Sequence, residues 1–248
     1  MRLTRVGVTP LKGARHEALD AVELAADGPV DDRTFCLVEP GRRRVVRTVE
    51  HPAMMAVRAR LSAGVLSTLV GTAQVAGVPE PTGEVLDCDY WGRRVPLQVQ
   101  RSGHGALLAD HLGCEVVLAR APAPGSVVYG APVTLVTASA VAELAARSGA
   151  AAIDPARFRA TVVVDDRTGP LEHAPAGTRL RLGEAVVELA GEVPRCAVVD
   201  HHPLTGRKDL GLLHALARYR RAAGVVSFGR YARVVTPGRV RPGDVVES

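Results

Sequence analysis

Short apolar stretches separated by turn residues dominate the first hundred positions of the chain. Turn pairs such as Asp27-Gly28, Pro40-Gly41 and Trp91-Gly92 punctuate them. Regular short spacing of this kind favours a barrel or a sandwich over alternating strands and helices. Residues 71–83 are rich in Gly, Pro and Thr and indicate an irregular excursion. The pattern predicts strands over residues 2–8, 20–25, 34–39, 44–48, 55–61, 64–70, 84–88 and 94–99.

The apolar period changes to a helical one in the second part of the chain. Helices are predicted over residues 104–113, over 139–148 with Ser139 as a possible cap, and over about 209–222. The Ala/Pro-rich stretch 119–132 is interpreted as a mobile loop or a domain junction. The sequence therefore predicts a mainly β fold with a few helices (α+β). It also predicts closing strands at residues 226–235, 239–241 and 244–247.

Composition narrows the classes of partner. Aromatic residues make up only 3% of the chain, so Val, Leu and Ala must build the core. A net charge of +5 admits an anionic ligand, but no nucleic-acid-binding module is recognisable, so no nucleic-acid partner is expected. No apolar run approaches the ~20 residues that cross a bilayer, and the start has no secretory h-region. We expect a cytoplasmic protein without a membrane partner.

Four cysteines, Cys36, Cys88, Cys114 and Cys196, lie far apart without C-x-x-C spacing. This spacing argues against a zinc knuckle, a thioredoxin-type pair or an iron–sulfur cluster. Free cysteines are most often small buried hydrophobes. Cys196 differs because it follows Pro194-Arg195 just after a predicted strand at 185–189, at a turn able to expose sulfur to a cleft. From the residues alone, a buried core cysteine next to a surface arginine remains the plainer interpretation of Cys196.

The spacing of several motifs resembles the MOSC domain family, which includes the C-terminal domain of molybdenum cofactor sulfurase, bacterial reductases and the mitochondrial amidoxime-reducing component. The resemblance covers nearly the whole chain in order, and the segment around Pro194-Arg195-Cys196 is its most specific part. The motifs that carry it are Thr9–Gly13, Gly28–Val38, His51-Pro52, Trp91-Gly92, Leu108–Leu118, Ala131–Ser139, Arg157–Arg159, Pro194–Cys196, Thr205-Gly206, Tyr219-Arg220, Phe228–Val234 and Pro237–Asp244.

The resemblance implies an N-terminal β-barrel-like subdomain over residues 1–100, packed on a MOSC β-barrel domain over residues 101–248. It also implies a molybdopterin-type cofactor, with the Cys196 thiolate as a ligand of molybdenum, a pairing that suits a soft ligand. The proposed cofactor-binding residues are cations and hydroxyls: Lys12, Arg33, Arg159, Arg195, Thr137 and Ser139.

The chain departs from the reductase pattern around the implied pocket. Gly13, Val49-Glu50, Ala160-Thr161 and the segment Val199–Leu204 replace residues that the reductases usually carry. The last replacement brings in Asp200, His201 and His202. A histidine beside a thiolate is a candidate general acid or base, so Asp200 and His202 join Cys196 as candidate catalytic residues. Strand alternation would place these two on one face, although a solvated loop is the plainer interpretation.

Three functions are compatible with these residues. The first is a molybdenum-cofactor-dependent oxidoreductase that removes oxygen from a small N-hydroxylated substrate and takes electrons from a separate donor protein. The second is a metal-free sulfur-transfer or C–S-bond-processing enzyme, with Cys196 as nucleophile or persulfide carrier and His201 or His202 as proton carrier. The third is a module that binds and delivers the anionic cofactor. The sequence predicts neither the substrate nor the oligomeric state.

Overall fold

A computed structural model describes residues 1–166 and 171–248 of the chain. Strands hold 45% of the residues and helices 19%, which confirms the prediction of a mainly β fold. The first half contributes eleven strands: Arg2–Val8 (β1), Glu17–Leu19 (β2), Val22–Ala25 (β3), Gly28–Pro29 (β4), Phe35–Glu39 (β5), Arg44–Val45 (β6), Arg58–Ser62 (β7), Val65–Val70 (β8), Ala73–Gly77 (β9), Glu80–Tyr90 (β10) and Arg93–Arg101 (β11).

The second half adds three α-helices and shorter strands around two long ones. Its elements are Gly103–Leu112 (α1), Val117–Arg120 (β12), Val133–Thr137 (β13), Ala138–Ser148 (α2), Val162–Asp165 (β14), Arg179–Leu182 (β15), Ala185–Pro194 (β16), Leu212–Ala217 (α3), Arg221–Ala222 (β17), Val225–Thr236 (β18), Gly238–Val240 (β19) and Val246–Glu247 (β20). Short 3₁₀ helices lie at Pro40–Arg42, Pro52–Ala56, Pro155–Phe158, Leu171–His173 and Ala197–Asp200. No helix in the described ranges has the length and apolar character needed to cross a bilayer.

Five strands close a small barrel in the order β10-β11-β12-β5-β6. The inward positions are filled by small and aliphatic side chains, with Cys36, Cys88 and Leu97 fully excluded from solvent. Beside the barrel, β7, β8 and β9 form a three-stranded antiparallel sheet against which α1 packs. The apolar alternation read from the sequence thus becomes a filled barrel interior.

A nine-stranded sheet dominates the rest of the molecule, in the order β2-β1-β14-β13-β18-β16-β15-β20 with β17 attached to β18. Its β20 end reaches back to β1, because Leu3 N donates to Asp244 O at 2.9 Å and Val246 N donates to Met1 O at 2.9 Å. The sheet therefore curls around a core of aliphatic residues, including Leu3, Val162 and Val187. This curling agrees with the second barrel expected from the resemblance.

Strand pairing crosses residue 100 in both directions. β1 pairs with β14 deep in the nine-stranded sheet, and β3 pairs with β19. In return β12 pairs with β5 and completes the small barrel. The division into residues 1–100 and 101–248 stays a prediction. Both the small barrel and the nine-stranded sheet contain strands from each of these two ranges.

Two local predictions were wrong. Residues 73–77 form β9 and residues 80–83 begin β10, although the sequence indicated an irregular excursion over 71–83, because pairing with β8 and β11 overrides weak β propensity. The third helix spans only Leu212–Ala217, and its predicted end forms a hairpin through β17. The stretch 119–132, predicted to be a mobile loop or a domain junction, joins β12 of the small barrel to β13 of the nine-stranded sheet. It is held in place, since Val127 is 1% exposed in the barrel core and Arg93 Nη2 donates to Val128 O at 2.6 Å.

Candidate functional site

A cavity of about 340 Å³ lies between the small barrel and the nine-stranded sheet. It unites five of the sequence-predicted site residues, which come from four separate segments: Lys12, Arg33, Arg159, Arg195 and Cys196. Cys196 is exposed, whereas Cys36 and Cys88 are buried and Cys114 is half-buried. The fold thus brings a single accessible thiol to a pocket lined by cations.

Thr9, which follows β1, organises the cationic side of the pocket. Its amide N donates to Asp32 Oδ1 at 2.8 Å and its carbonyl accepts from Arg33 N at 2.8 Å. Its hydroxyl oxygen accepts from Arg159 Nη2 at 3.3 Å, and Lys12 N donates to Phe35 O at 2.8 Å. The segment from Thr9 to Lys12 therefore fixes the relative positions of Lys12, Arg33 and Arg159. Thr9 and Arg159 are 150 residues apart in the sequence.

Arg195 is held by backbone carbonyls next to Cys196. Its Nε donates to Phe228 O and its Nη1 to Phe158 O, both at 2.8 Å. The remaining nitrogen, Nη2, is buried without a hydrogen-bond partner in the described residues. A Cβ on Gly229 would lie 3.2 Å from Nη2 and 2.6 Å from Leu135 O, so this position, with φ +80°, requires glycine. The guanidinium is thus preorganised with one donor to spare.

Six cations line the pocket, and half of them have carboxylate partners. Arg33 pairs with Asp32, Arg47 with Asp89 at 3.0 Å and with Glu50 at 3.5 Å, and Arg157 with Asp209. Lys12, Arg159 and Arg195 do not: within the described ranges no carboxylate lies at ion-pair distance from them. Lys12 Nζ contacts Val46 O at 3.4 Å and sits 5.2 Å from the centre of the Tyr90 ring. The pocket accordingly carries uncompensated positive charge.

Burial acts on these three cations in the same direction. Desolvation lowers the pKa of Lys12 to about 8, that of Arg159 to about 9 and that of Arg195 to about 10. A negative charge on Cys196 would raise the pKa of all three, because the thiol lies near each of them. A bound anion would likewise stabilise the protonated forms.

Three pocket residues hold left-handed backbone conformations without being glycine. The φ angles are +49° at Arg33, +52° at Trp91 and +52° at Arg159. Such conformations cost about 1 kcal/mol or more each, and they tend to persist where side-chain placement is demanded by a site. The strained backbone positions are therefore those of two cations, Arg33 and Arg159, and of Trp91 at the pocket mouth.

Aromatic residues also line the pocket, and sequence reasoning missed this aromatic wall. Five of the eight aromatic residues in the chain line the cavity: Tyr90, Trp91, Tyr129, Phe158 and Tyr231. Trp91 and Tyr129 are exposed at its mouth and meet edge to face at 6.1 Å, while the Arg47 guanidinium stacks 4.4 Å above Trp91. The low aromatic content of the chain was visible in the sequence, but it does not show that five of these residues meet at one cavity.

Thr137 and Ser139, predicted to contact the cofactor, lie outside the lining of this cavity. Thr137 is fully buried and its Oγ1 accepts from Ala140 N at 3.3 Å, so Thr137 rather than Ser139 caps α2. Ser139 Oγ instead donates to Asp166 Oδ2 at 2.7 Å. Their contacts account for both hydroxyls as parts of the β13–α2 junction, and the prediction that Ser139 caps the helix was wrong.

Asp200 and His202 also lie outside the lining. Strand alternation does not apply to them, because Ala197–Asp200 form a 3₁₀ helix. Asp200 is buried and its Oδ1 accepts from Leu213 N at 2.7 Å, at the start of α3. His201 Nδ1 contacts Ala197 O at 2.8 Å, and His202 Nδ1 accepts from Leu204 N at 3.2 Å. The geometry gives these residues structural contacts and does not bring them to Cys196.

No carboxylate or histidine is found among the described residues that line the cavity. Nor do three His, Cys, Asp or Glu side chains converge on one point anywhere in residues 1–166 and 171–248. The arrangement can therefore offer one soft sulfur ligand, several donors to an anion and flat apolar faces.

Comparison with known proteins identifies one family. A family model for the MOSC domain matches residues 104–247, more than half of the chain. No curated protein matches the sequence. Among solved structures, the YuaD protein from Bacillus subtilis is similar at 14% identity with a TM-score of 0.48, covering 99% of this chain and 93% of that one. YiiM from Geobacillus stearothermophilus is similar at 16% identity with a TM-score of 0.35, covering 46% and 52%.

Proposed function

Because this chain belongs to the MOSC domain family, a domain associated with molybdenum-cofactor-binding proteins, we propose that it is a molybdenum-cofactor-dependent oxidoreductase acting on a small oxygenated substrate. The observation that carries the proposal is the charge of the pocket. Lys12, Arg159 and Arg195 surround an exposed thiol and lack carboxylate partners among the described residues. Buried cations of this kind are costly unless an anion compensates them.

The residues present fit a phosphorylated, sulfur-bearing group. The unpartnered Nη2 of Arg195 can donate a hydrogen bond to a bound ligand. Arg159 and Lys12 offer further donors to phosphate oxygens. Cys196 would supply a thiolate, the ligand type that a soft metal–sulfur centre prefers. The wall of Tyr90, Trp91 and Tyr231 offers flat apolar surfaces for a planar ring.

The division of labour follows from these contacts. When bound, the cofactor supplies the two-electron chemistry that removes oxygen from an N-hydroxylated substrate. The protein holds the anionic part with its cations, keeps Cys196 directed at the cavity and narrows the mouth with Trp91 and Tyr129. Electrons would reach the site from a separate donor protein, because the sequence carries neither a dinucleotide-binding fingerprint nor cluster-binding cysteines.

The test is the metal and pterin content of freshly purified protein from molybdate-supplemented cells. We expect molybdenum in near-stoichiometric amount in the unaltered protein and its loss in Cys196→Ser. Cys114→Ser is the matched control, because Cys114 is a half-buried thiol outside the pocket and should leave the molybdenum content unchanged. Equal molybdenum in Cys196→Ser and the unaltered protein would contradict the assigned ligand.

The same metal and pterin analysis separates the sulfur-transfer function, and a turnover assay separates the carrier function. A sulfur-transfer enzyme would yield metal-free protein with a reductant-sensitive sulfur adduct on Cys196, although His201 and His202, its predicted proton carriers, lie away from the pocket. A carrier module would retain pterin in Cys196→Ala and turn over no oxygenated substrate. The cationic pocket is compatible with that third outcome, and only turnover distinguishes it from the first.

A further inference from the structure

A second cavity, of about 440 Å³, shares no lining residue with the first. It is bounded by the end of the 3₁₀ helix at 52–56, by one edge of the β7–β8 hairpin and by the loop at 204–207. Three arginines and two leucines dominate its lining: Arg15, Arg58, Arg207, Leu69 and Leu204. No acidic residue is among the described residues that line it.

The loop on one side of this cavity is rigidly built. His202 N donates to Arg207 O at 2.8 Å, and Gly206 N donates to His202 O at 2.9 Å, which closes a tight turn. A Cβ on Gly206 would lie 2.0 Å from Pro52 O, so the turn sits directly on the 3₁₀ helix. Arg207 is therefore presented from a fixed backbone, with its side chain exposed.

Arg15 faces the loop from the opposite side with donor capacity to spare. Its Nη2 donates to Leu204 O at 3.0 Å and contacts Ala56 O at 3.4 Å. Its Nε is buried and has no hydrogen-bond partner among the described residues. Of the three arginines only Arg58 has a carboxylate partner there, Glu17 at 3.2 Å. Two guanidinium charges are left uncompensated around a space bordered by leucine side chains.

We infer that this cavity is a second anion site, which binds a phosphate group carried on a small apolar moiety. Paired guanidinium groups match the oxygens of a phosphate monoester, which accept hydrogen bonds from several N–H donors at once. Leu69 and Leu204 would cover the carbon part of such a ligand. The site is independent of the proposed cofactor pocket and requires no chemistry at Cys196.

The test is calorimetric titration of the protein with inorganic phosphate and with phenyl phosphate at low salt. We expect phenyl phosphate to bind more tightly at this site, and Arg207→Gln to weaken that binding about tenfold, the usual scale for loss of one charged hydrogen-bond partner. Arg218→Gln is the matched control, because Arg218 is exposed, lies outside both cavities and changes the net charge equally. Arg207→Lys should recover only part of the affinity, because it loses the planar fork.

The two anion sites fail separately. Lys12→Gln should remove phosphate binding at the cofactor pocket and leave the site that Arg207→Gln removes. If Arg207→Gln and Arg218→Gln bind phenyl phosphate as the unaltered protein does, the second site is overturned whatever happens at Lys12. If Lys12→Gln abolishes all phosphate binding, then phosphate binds at the cofactor pocket alone and the inference is equally overturned.

Discussion

At the scale of single residues, the buried charge of Lys12 lowers the stability of the ligand-free folded protein. Lys12 is one of only two lysines in the chain, and burial lowers its pKa to about 8 from an ordinary value of 10.5. Below pH 8 the folded protein carries a charged amine that is poorly solvated. Between about pH 8 and 10.5 the unfolded chain binds more protons at this residue than the folded one, so its contribution to stability rises with pH.

Lys12→Gln should therefore stabilise the ligand-free protein at pH 7 by about 3 kcal/mol, because it removes the buried charge. The difference from the unaltered protein should shrink as the pH approaches 10.5. Urea denaturation at pH 7 and pH 10.5 measures both values. Lys208→Gln changes the other lysine, which is mostly exposed, and should show little dependence on pH. A gain in Lys12→Gln that is the same at both pH values would show that burial of the charge is not its cause.

Arg159 combines an uncompensated charge with a left-handed backbone conformation. Arg159→Asn should raise the free energy of unfolding by about 1 kcal/mol, because asparagine tolerates this conformation better, and should weaken phosphate binding at the cofactor pocket about tenfold. Arg43→Asn is the control, since Arg43 is exposed with a φ of +45°. It should gain similar stability while phosphate affinity stays unchanged; a parallel loss of affinity would point to a nonspecific charge effect.

At the scale of elements, the 3₁₀ helix at 197–200 links the Cys196 segment to α3. Asp200→Ala leaves Leu213 N without its acceptor and should lower the free energy of unfolding by about 1 kcal/mol. Asp200→Asn keeps an acceptor oxygen and should recover most of the loss, with molybdenum content unchanged in both variants. Chemical denaturation and metal analysis measure the two effects. A stable Asp200→Ala protein that has lost its activity would instead favour the catalytic role predicted from the sequence.

The sequence predicted elements well where one apolar period persisted. The first strand was predicted at 2–8 and is observed at Arg2–Val8, and the helix predicted at 139–148 is observed at Ala138–Ser148. It failed at 71–83 and beyond residue 217, because strand pairing with distant residues decides those segments. Short β segments depend on their partners more than on their own composition.

At the scale of the whole molecule, the interleaved strands bear on the predicted division at residue 100. A fragment of residues 101–248 would lack β1, which lies between β2 and β14 in the large sheet. We expect this fragment alone to be unfolded or aggregated, because the faces that pack on Leu3, Val6 and Val8 become exposed. Co-expression with residues 1–100 should restore soluble protein, which size-exclusion chromatography detects. A monomeric, cooperatively unfolding 101–248 fragment would support the predicted division.

The candidate site was predictable only in part, because residues distant in sequence meet at it. Spaced motifs identified Lys12, Arg33, Arg159, Arg195 and Cys196, and the fold brings all five to one cavity. The aromatic wall joins residues from the end of β10 and its turn, the 119–132 stretch, the 3₁₀ helix at 155–158 and β18, and no local pattern links them. Asp200 and His202 were proposed because they follow Cys196 in sequence, but the 3₁₀ helix at 197–200 ends at Asp200 and both side chains lie outside the lining of the cavity.

Trp91 is the only tryptophan in the chain, and it stands at the mouth of the cavity between Arg47 and Tyr129. Its indole emission depends on the polarity and charge around it, so a molecule that enters the cavity and contacts Trp91 should alter that signal. The protein thereby contains a built-in optical reporter of occupancy, free of background from other indoles. Ligands for the pocket can be screened by fluorescence without attaching a dye.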